Sequence, residues 1–393
     1  MDLDLAPTGM AAGGDAIARD ADGRVVFVTG ALPGERVRAR VTASKKDFAK
    51  AVVVDVLSPS PDRVAPPCPA LAAGCGGCGW QHVAVDAQRR LKRSIVVDAL
   101  RRLGRVDADR AESVVDVDGV ALAAAGYRTT VRLAVDPATG RVAYRQHGSH
   151  ALVTPDDCLV LHPLLEARLG ERFAGASEVT LRCGARTGEV LVHPTPGRPS
   201  QPWFHEEAAG RRWRISAESF FQVRPDGADA LADLVVDAAG SNVDTAVDLY
   251  AGVGLFAGVL SERLGARVVA VEGSAAAVDD AEVNLADIEG ELVEADVTRW
   301  RPDPGSEWTD VDVVVADPSR HGLGSRGADA VAACSPDTVV LVSCDPAALG
   351  RDVRLLDERG YLLERATTVD LFPHTTHVEV VSRFVRQPRP NSA

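Results

Sequence analysis

An apolar run, Thr338-Val-Val-Leu-Val-Ser343, delivers Cys344 into Asp345-Pro346. A run of this kind closed by a turn signal reads as a buried parallel strand, and the residue leaving it projects into the crevice at the carboxyl edge of the sheet. A thiol there is a candidate nucleophile. Farther on, Phe372-Pro-His-Thr-Thr-His-Val-Glu379 brings a carboxylate to the start of another strand. One sheet can therefore supply both an attacking thiolate, Cys344, and a base, Glu379.

Asp248-Leu-Tyr250-Ala-Gly252-Val-Gly254 closes an earlier strand. Glycines in such a turn let the backbone approach a ligand before a helix begins. A Gly-x-Gly turn alone also fits a dinucleotide. Three acids favour S-adenosylmethionine: Asp248 before the turn, Glu272 ending Val-Ala-Val-Glu, and Asp296 ending Glu-Ala-Asp. They suit a cationic sulfonium amino acid with a ribose and an adenine, whereas a phosphate is repelled by carboxylates beside the loop. The alternative for each acid is a cap on its own turn or helix.

A third cluster is Cys68-Pro-Ala-Leu-Ala-Ala-Gly-Cys75-Gly-Gly-Cys78, and Cys158 in Thr154-Pro-Asp-Asp-Cys-Leu is the best candidate for a fourth ligand. Spacing alone leaves structural zinc as good a reading as an iron–sulfur cluster. Cys183 and Cys334 read as ordinary buried residues.

These residues need elements to hold them. From Gly14 to Leu57 short alternating strands punctuated by Gly13-Gly14, Asp22-Gly23 and Pro33-Gly34 predict a small β-barrel, and the proline-rich stretch Ser58–Pro67 predicts its boundary. A helix is predicted over Asp86–Leu103, followed by a mixed α+β region. From Asp244 onward strands and helices alternate: Thr245–Leu249, Arg267–Val271, Glu291–Ala295, Asp312–Ala316, Thr338–Ser343, Tyr361–Asp370 and His377–Val385 are the predicted strands. That alternation predicts a doubly wound α/β sheet covered by helices on both faces. The expected division is a barrel over 1–60, a cysteine-rich loop with an α+β region over 61–215, and an α/β unit over 216–393.

A chain of 393 residues exceeds one ordinary core, and 46% hydrophobic content supports globular packing. No apolar stretch reaches the length of a membrane span and the start lacks the basic character of a signal peptide, so a cytoplasmic protein with no membrane association is expected. Seven unevenly spread cysteines favour metal and catalytic roles over a disulfide framework. The net charge of −13 weighs against a nucleic-acid partner, but between Arg19 and Lys50 eight basic residues face four acidic ones, and a second basic run lies on the helix after Asp86. Charge alone leaves nucleic-acid contact open.

With Asp248–Phe256, Asp317-Pro-Ser-Arg320, Ser343-Cys344-Asp-Pro346 and Phe372–Glu379 in view, the chain resembles the RNA 5-methyluridine methyltransferase family over nearly its whole length. The resemblance implies an N-terminal OB-like barrel of the RNA-binding TRAM type and a class I, Rossmann-like methyltransferase unit with strand order 3-2-1-4-5-7-6. It implies that Cys344 adds to carbon 6 of uracil, that Glu379 removes the proton from carbon 5, and that Asp317 holds the base. Gln222 in Ser219-Phe-Phe-Gln222-Val matches a cofactor contact, and Tyr250 and Asp317 also fall beside the donor. The cysteine pattern, in the light of the family, implies a [4Fe-4S] cluster on Cys68, Cys75, Cys78 and Cys158, with zinc as the alternative. The implied substrate is RNA, 23S ribosomal RNA ahead of transfer RNA, with no obligate protein partner evident. Two positions depart from the family pattern: Ser319 stands for proline in Asp-Pro-Pro-Arg, and Asp345 for asparagine in Ser-Cys-Asn-Pro. Competing readings are an amino-group methyltransferase, in which Cys344 is idle, and a non-catalytic iron–sulfur RNA-binding protein.

Overall fold

Period-two alternation governs the start of the chain, and the computed structural model, which describes residues 1–388, folds it into six strands. These are β1 (Asp2–Leu5), β2 (Gly9–Met10), β3 (Ala16–Arg19), β4 (Val25–Thr29), β5 (Arg36–Ser44) and β6 (Phe48–Ser58), paired in the order β1-β5-β6-β4-β3-β2. Along β5 the buried Val37 and Ala39 alternate with exposed Arg36, Arg38 and Arg40, as a half-buried strand requires. The sequence reading did not include β1. It pairs antiparallel with β5, where Asp2 faces Arg40 and Asp4 faces Arg38, so opposite charges meet across the ladder.

The cysteine-rich segment, with the short helix α1 (Pro69–Ala72), leads into α2 (Val85–Arg102). Helix α2 lies between two cores: Ile95 packs with the barrel, whereas Val96, Val97 and Leu100 pack beneath the C-terminal sheet. Helix α3 (Ala108–Val114) joins that second core. Then β7 (Thr130–Val135), β8 (Val142–Arg145), β9 (Leu152–Val153), α4 (Pro163–Glu166), β10 (Glu178–Cys183) and β11 (Val190–Thr195) build a five-stranded antiparallel sheet with a core of its own. The hairpin β12 (Trp203–Ala208) and β13 (Arg211–Ser216) buries Phe204, Trp213 and Ile215 against α5 (Pro225–Ala239). Residues 61–215 therefore do not share one core.

The rest alternates as its pattern predicts: β14 (Thr245–Leu249), α6 (Leu255–Leu264), β15 (Arg267–Glu272), α7 (Ala275–Asn284), β16 (Gly290–Glu294), β17 (Val313–Ala316), α8 (Gly324–Ala333), β18 (Thr338–Ser343), α9 (Pro346–Asp357), β19 (Tyr361–Val369) and β20 (Glu379–Arg386). The seven strands lie in the order β16-β15-β14-β17-β18-β20-β19, with β20 antiparallel to both neighbours. Strands β17 and β18 are buried throughout because helices cover both faces, which is why they read as unbroken apolar runs. The last strand starts at Glu379, two residues later than predicted, leaving His377 in the preceding loop. No helix of the described residues is long and apolar enough to cross a membrane.

Candidate active site

The carboxyl ends of β14, β15, β17 and β18 and the first residue of β20 share one edge, because β20 runs antiparallel beside β18. This brings Cys344, Asp317 and Glu379 to one cleft of about 480 Å³. Cys344 follows β18 directly. Behind it Asp345 caps α9, accepting a hydrogen bond from the Ala348 N–H at 2.7 Å, with Pro346 in the first turn. A carboxylate does this work as well as the amide of the family pattern, which accounts for that departure. Ser319, the other departure, is exposed at the rim, its hydroxyl 3.4 Å from His321 Nδ1.

Few charges compensate the acids in this cleft. Burial, then the negative neighbours Glu379 and Asp317, pushes the Cys344 thiol up to about 12, with Arg320 opposing. Burial alone lifts Asp317 to about 7. Glu379 is held well above the usual carboxylate range by burial and Asp317, again against Arg320. Burial therefore disfavours the charged forms of the thiol and of both acids.

The opposite wall is the turn after β14. Tyr250 (φ 64°), Gly252 (φ 58°) and Gly254 (φ 98°) all adopt left-handed backbone. A Cβ on Gly254 would stand 2.8 Å from the Leu285 side chain, so this turn requires glycine. The Gly252 N–H donates to Glu272 Oε2 at 2.8 Å, tying the turn to the end of β15. Asp248 is fully buried below; its Oδ2 accepts from the Ala257 N–H at 2.8 Å, and its Oδ1 has no partner. Burial lifts Asp248 to about 8. The Gln222 side-chain amide donates to Asp317 Oδ2 at 3.5 Å and bridges the two walls.

Seven of the sequence-selected residues, Gln222, Tyr250, Gly252, Glu272, Asp317, Cys344 and Glu379, line this cleft, with Gly254 in the turn that shapes it and Asp248 in β14 beneath. Asp296 does not line it. Its carboxylate accepts from the Thr298 N–H and hydroxyl at 2.9 and 2.7 Å, and so caps its own turn. The sequence reading offered both a cofactor contact and a cap at this position, since a capping acid and a ligand-binding acid are the same residue type. It also assigned no role to Arg320, Phe220 or the Phe372–His377 pair, whose rings meet edge to face at the mouth. The strong exposure of Phe220, 66%, marks it in the structure and has no counterpart in the sequence pattern.

The four selected cysteines also converge. Cys68, Cys75, Cys78 and Cys158 line one small cavity with Arg128 and Tyr144. Burial, then the other three cysteines, holds the Cys78 thiol up at about 11, with Arg128 opposing. The Tyr144 hydroxyl donates to Cys158 Sγ at 3.3 Å, and Arg128 Nε is buried without a partner. Four thiols facing a cation with an unsatisfied donor form a donor set suited to an anionic thiolate-bound centre. Among the described residues no group of three or more His, Cys, Asp or Glu side chains stands at the spacing of a single metal ion. Cys183 and Cys334 are buried elsewhere, as expected.

Residues 8–54 match the TRAM domain model. The chain is 36% identical to an RNA methyltransferase of Streptomyces coelicolor, over 95% of this chain and 90% of that one. It is 32% identical to the 23S rRNA (uracil(1939)-C(5))-methyltransferase RlmD of Alkalilimnicola ehrlichii, over 98% and 97% of the two chains. The crystal structure of Pyrococcus abyssi tRNA (uracil-54, C5)-methyltransferase with S-adenosyl-L-homocysteine superposes with a TM-score of 0.73 at 22% identity, covering 98% and 99%, and shares the fold. With relatives this close over almost its full length, and with a thiol, an acid pair and a glycine turn on one sheet edge, the chain belongs to the RNA 5-methyluridine methyltransferase family, enzymes that use S-adenosylmethionine.

Proposed function

We propose that the protein methylates carbon 5 of one uridine in 23S ribosomal RNA through a covalent adduct on Cys344. The convergence of Cys344, Glu379 and Asp317 opposite the Tyr250–Val253 turn carries this reading. The RNA class rests on the Alkalilimnicola relative, whose name states that it acts on 23S rRNA.

Carbon 5 of uracil is a weak nucleophile, so its methylation needs covalent help. When bound, S-adenosylmethionine supplies an electrophilic methyl group and a positive charge beside the acids. Arg320 lowers the cost of ionising Cys344 and Glu379. The Cys344 thiolate adds to carbon 6, and the displaced electron pair lets carbon 5 take the methyl group. The Glu379 carboxylate then removes the carbon 5 proton, the Sγ–carbon 6 bond breaks, and the ring double bond returns. Asp317 and Gln222 orient the base and the donor between them. The target nucleotide has to leave its stack to reach the cleft, and the barrel supplies RNA contacts outside it. A ribosomal RNA substrate implies a cytoplasmic site of action.

Cys68, Cys75, Cys78 and Cys158 are assigned to a [4Fe-4S] cluster, which would cross-link residues 68–78 to the loop at 158. Iron with acid-labile sulfide is the expected content of the purified protein, and stoichiometric zinc instead would overturn the assignment. Mass spectrometry of RNA from a deletion strain tests the substrate: loss of one 5-methyluridine from 23S rRNA is expected, and its loss from transfer RNA alone would reassign the target.

A further inference from the structure

The loop between β19 and β20 carries Phe372 and His377 to the mouth of the cleft and ends at Glu379. Its centre, His374, is buried and has φ 67°, a left-handed backbone that residues other than glycine rarely keep unless their surroundings impose it. The surroundings come from the far end of the chain. Gln88 on α2, fully buried, accepts from the His374 N–H with its Oε1 at 2.6 Å. Its Nε2 donates to the Val83 and Trp80 carbonyls at 2.8 and 3.2 Å. The Trp80 N–H donates to the His374 carbonyl at 2.9 Å, so the strained residue is gripped on both sides. Next to it the Tyr127 hydroxyl donates to the Pro373 carbonyl at 3.0 Å.

We propose that Gln88 is a positioning residue for methyl transfer: its amide links the segment after the cysteine loop to His374 and so holds the aromatic wall, Phe372 and His377, against the target base. Gln88 does not line the cleft. The β14 turn that binds the donor is built from other elements, so release of the loop leaves cofactor affinity intact and misplaces only the base. Misplacement of a reacting group by about an ångström costs on the order of a hundredfold in rate.

The inference rests on the reading of Cys344 as the nucleophile, and the test separates the two. Single-turnover methylation of 23S rRNA by the full-length, cluster-loaded protein is measured per cofactor site, the sites being counted by S-adenosylhomocysteine titration, so that misfolded molecules do not enter the rate. Gln88→Met is expected to lower that rate about tenfold or more with cofactor affinity within about twofold of wild type. Tyr127→Phe, which removes one hydroxyl, is expected to lower it by about threefold, and decides the matter should Gln88→Met not fold. Wild-type rates per site in the variants that fold overturn the proposal, as does a cofactor affinity that falls in step with rate. Cys344→Ala is the control: if it still methylates uridine, the nucleophile assignment fails and this inference falls with it, whereas an inactive Cys344→Ala beside fully active Gln88 and Tyr127 variants defeats the positioning role alone.

Discussion

A thiol that burial and two neighbouring acids hold at about 12 is a poor nucleophile until charge arrives beside it. Alkylation of Cys344 by iodoacetamide in the ligand-free protein should therefore keep rising above pH 9, and a plateau below pH 8 would contradict the electrostatics described. Asp248 makes a second residue-level prediction. Its folded value of about 8 lies above its ordinary 3.8, so the stability associated with its protonated form is complete below pH 3.8 and is lost as pH rises towards 8. Asp248→Asn lacks that loss. The stability difference between variant and wild type, from denaturant titrations, should shift in favour of the variant across this window; parallel curves would refute the raised value. Cys344, Glu379 and Asp248 were legible because reactive side chains at strand ends announce themselves by type and position. Asp296 caps its own turn at Thr298, and nothing in sequence separates an acid confined to that role from one that also meets a ligand. Arg320 was quoted within its motif, yet its charge opposite Cys344 and Glu379 emerges only from the packed site.

Among the elements, the strand–turn–helix joint at β18 and α9 does most to place the thiol. Asp345→Ala removes the cap and should cost about 1 kcal/mol in unfolding free energy, whereas Asp345→Asn, which keeps the acceptor, should cost little. Equal losses in the two variants, measured by denaturant titration, would show that the cap is not what Asp345 contributes. The four inner strands, β14, β15, β17 and β18, were readable because parallel strands covered on both faces are continuous apolar runs with glycine or proline near their ends. Strand β1 lies ahead of the first turn signal, and its place is set by cross-strand pairs with β5. The partition of α2 between two cores depends on which of its faces meets which sheet, which the helical pattern alone does not show.

Across the molecule, the long-range ties are what sequence conceals most. Lys92 Nζ lies 2.6 Å from Asp370 Oδ1 and also donates to the Phe372 carbonyl at 3.1 Å; both charged side chains are almost wholly buried, and 278 positions separate them in the chain. Breaking the pair with Lys92→Ala should cost about 3–5 kcal/mol, since an unpaired carboxylate is left inside, whereas Lys92→Met with Asp370→Leu should lose far less. A small loss for the single variant would mean that water reaches the site. This pair and the Gln88–His374 contact bind the first third of the chain to the loop at the reaction cleft, and so the barrel, the cysteine site and the methyltransferase sheet meet around one place. A covalent bond from Cys344 to the uridine is tested directly with purified wild type, Cys344→Ala and Glu379→Gln proteins incubated with 23S rRNA and labelled S-adenosylmethionine, by mass spectrometry of protein–RNA adducts and of modified nucleosides. Wild type should give 5-methyluridine, Cys344→Ala neither adduct nor product, and Glu379→Gln a methylated adduct that accumulates; 5-methyluridine formed by Cys344→Ala would contradict the covalent mechanism.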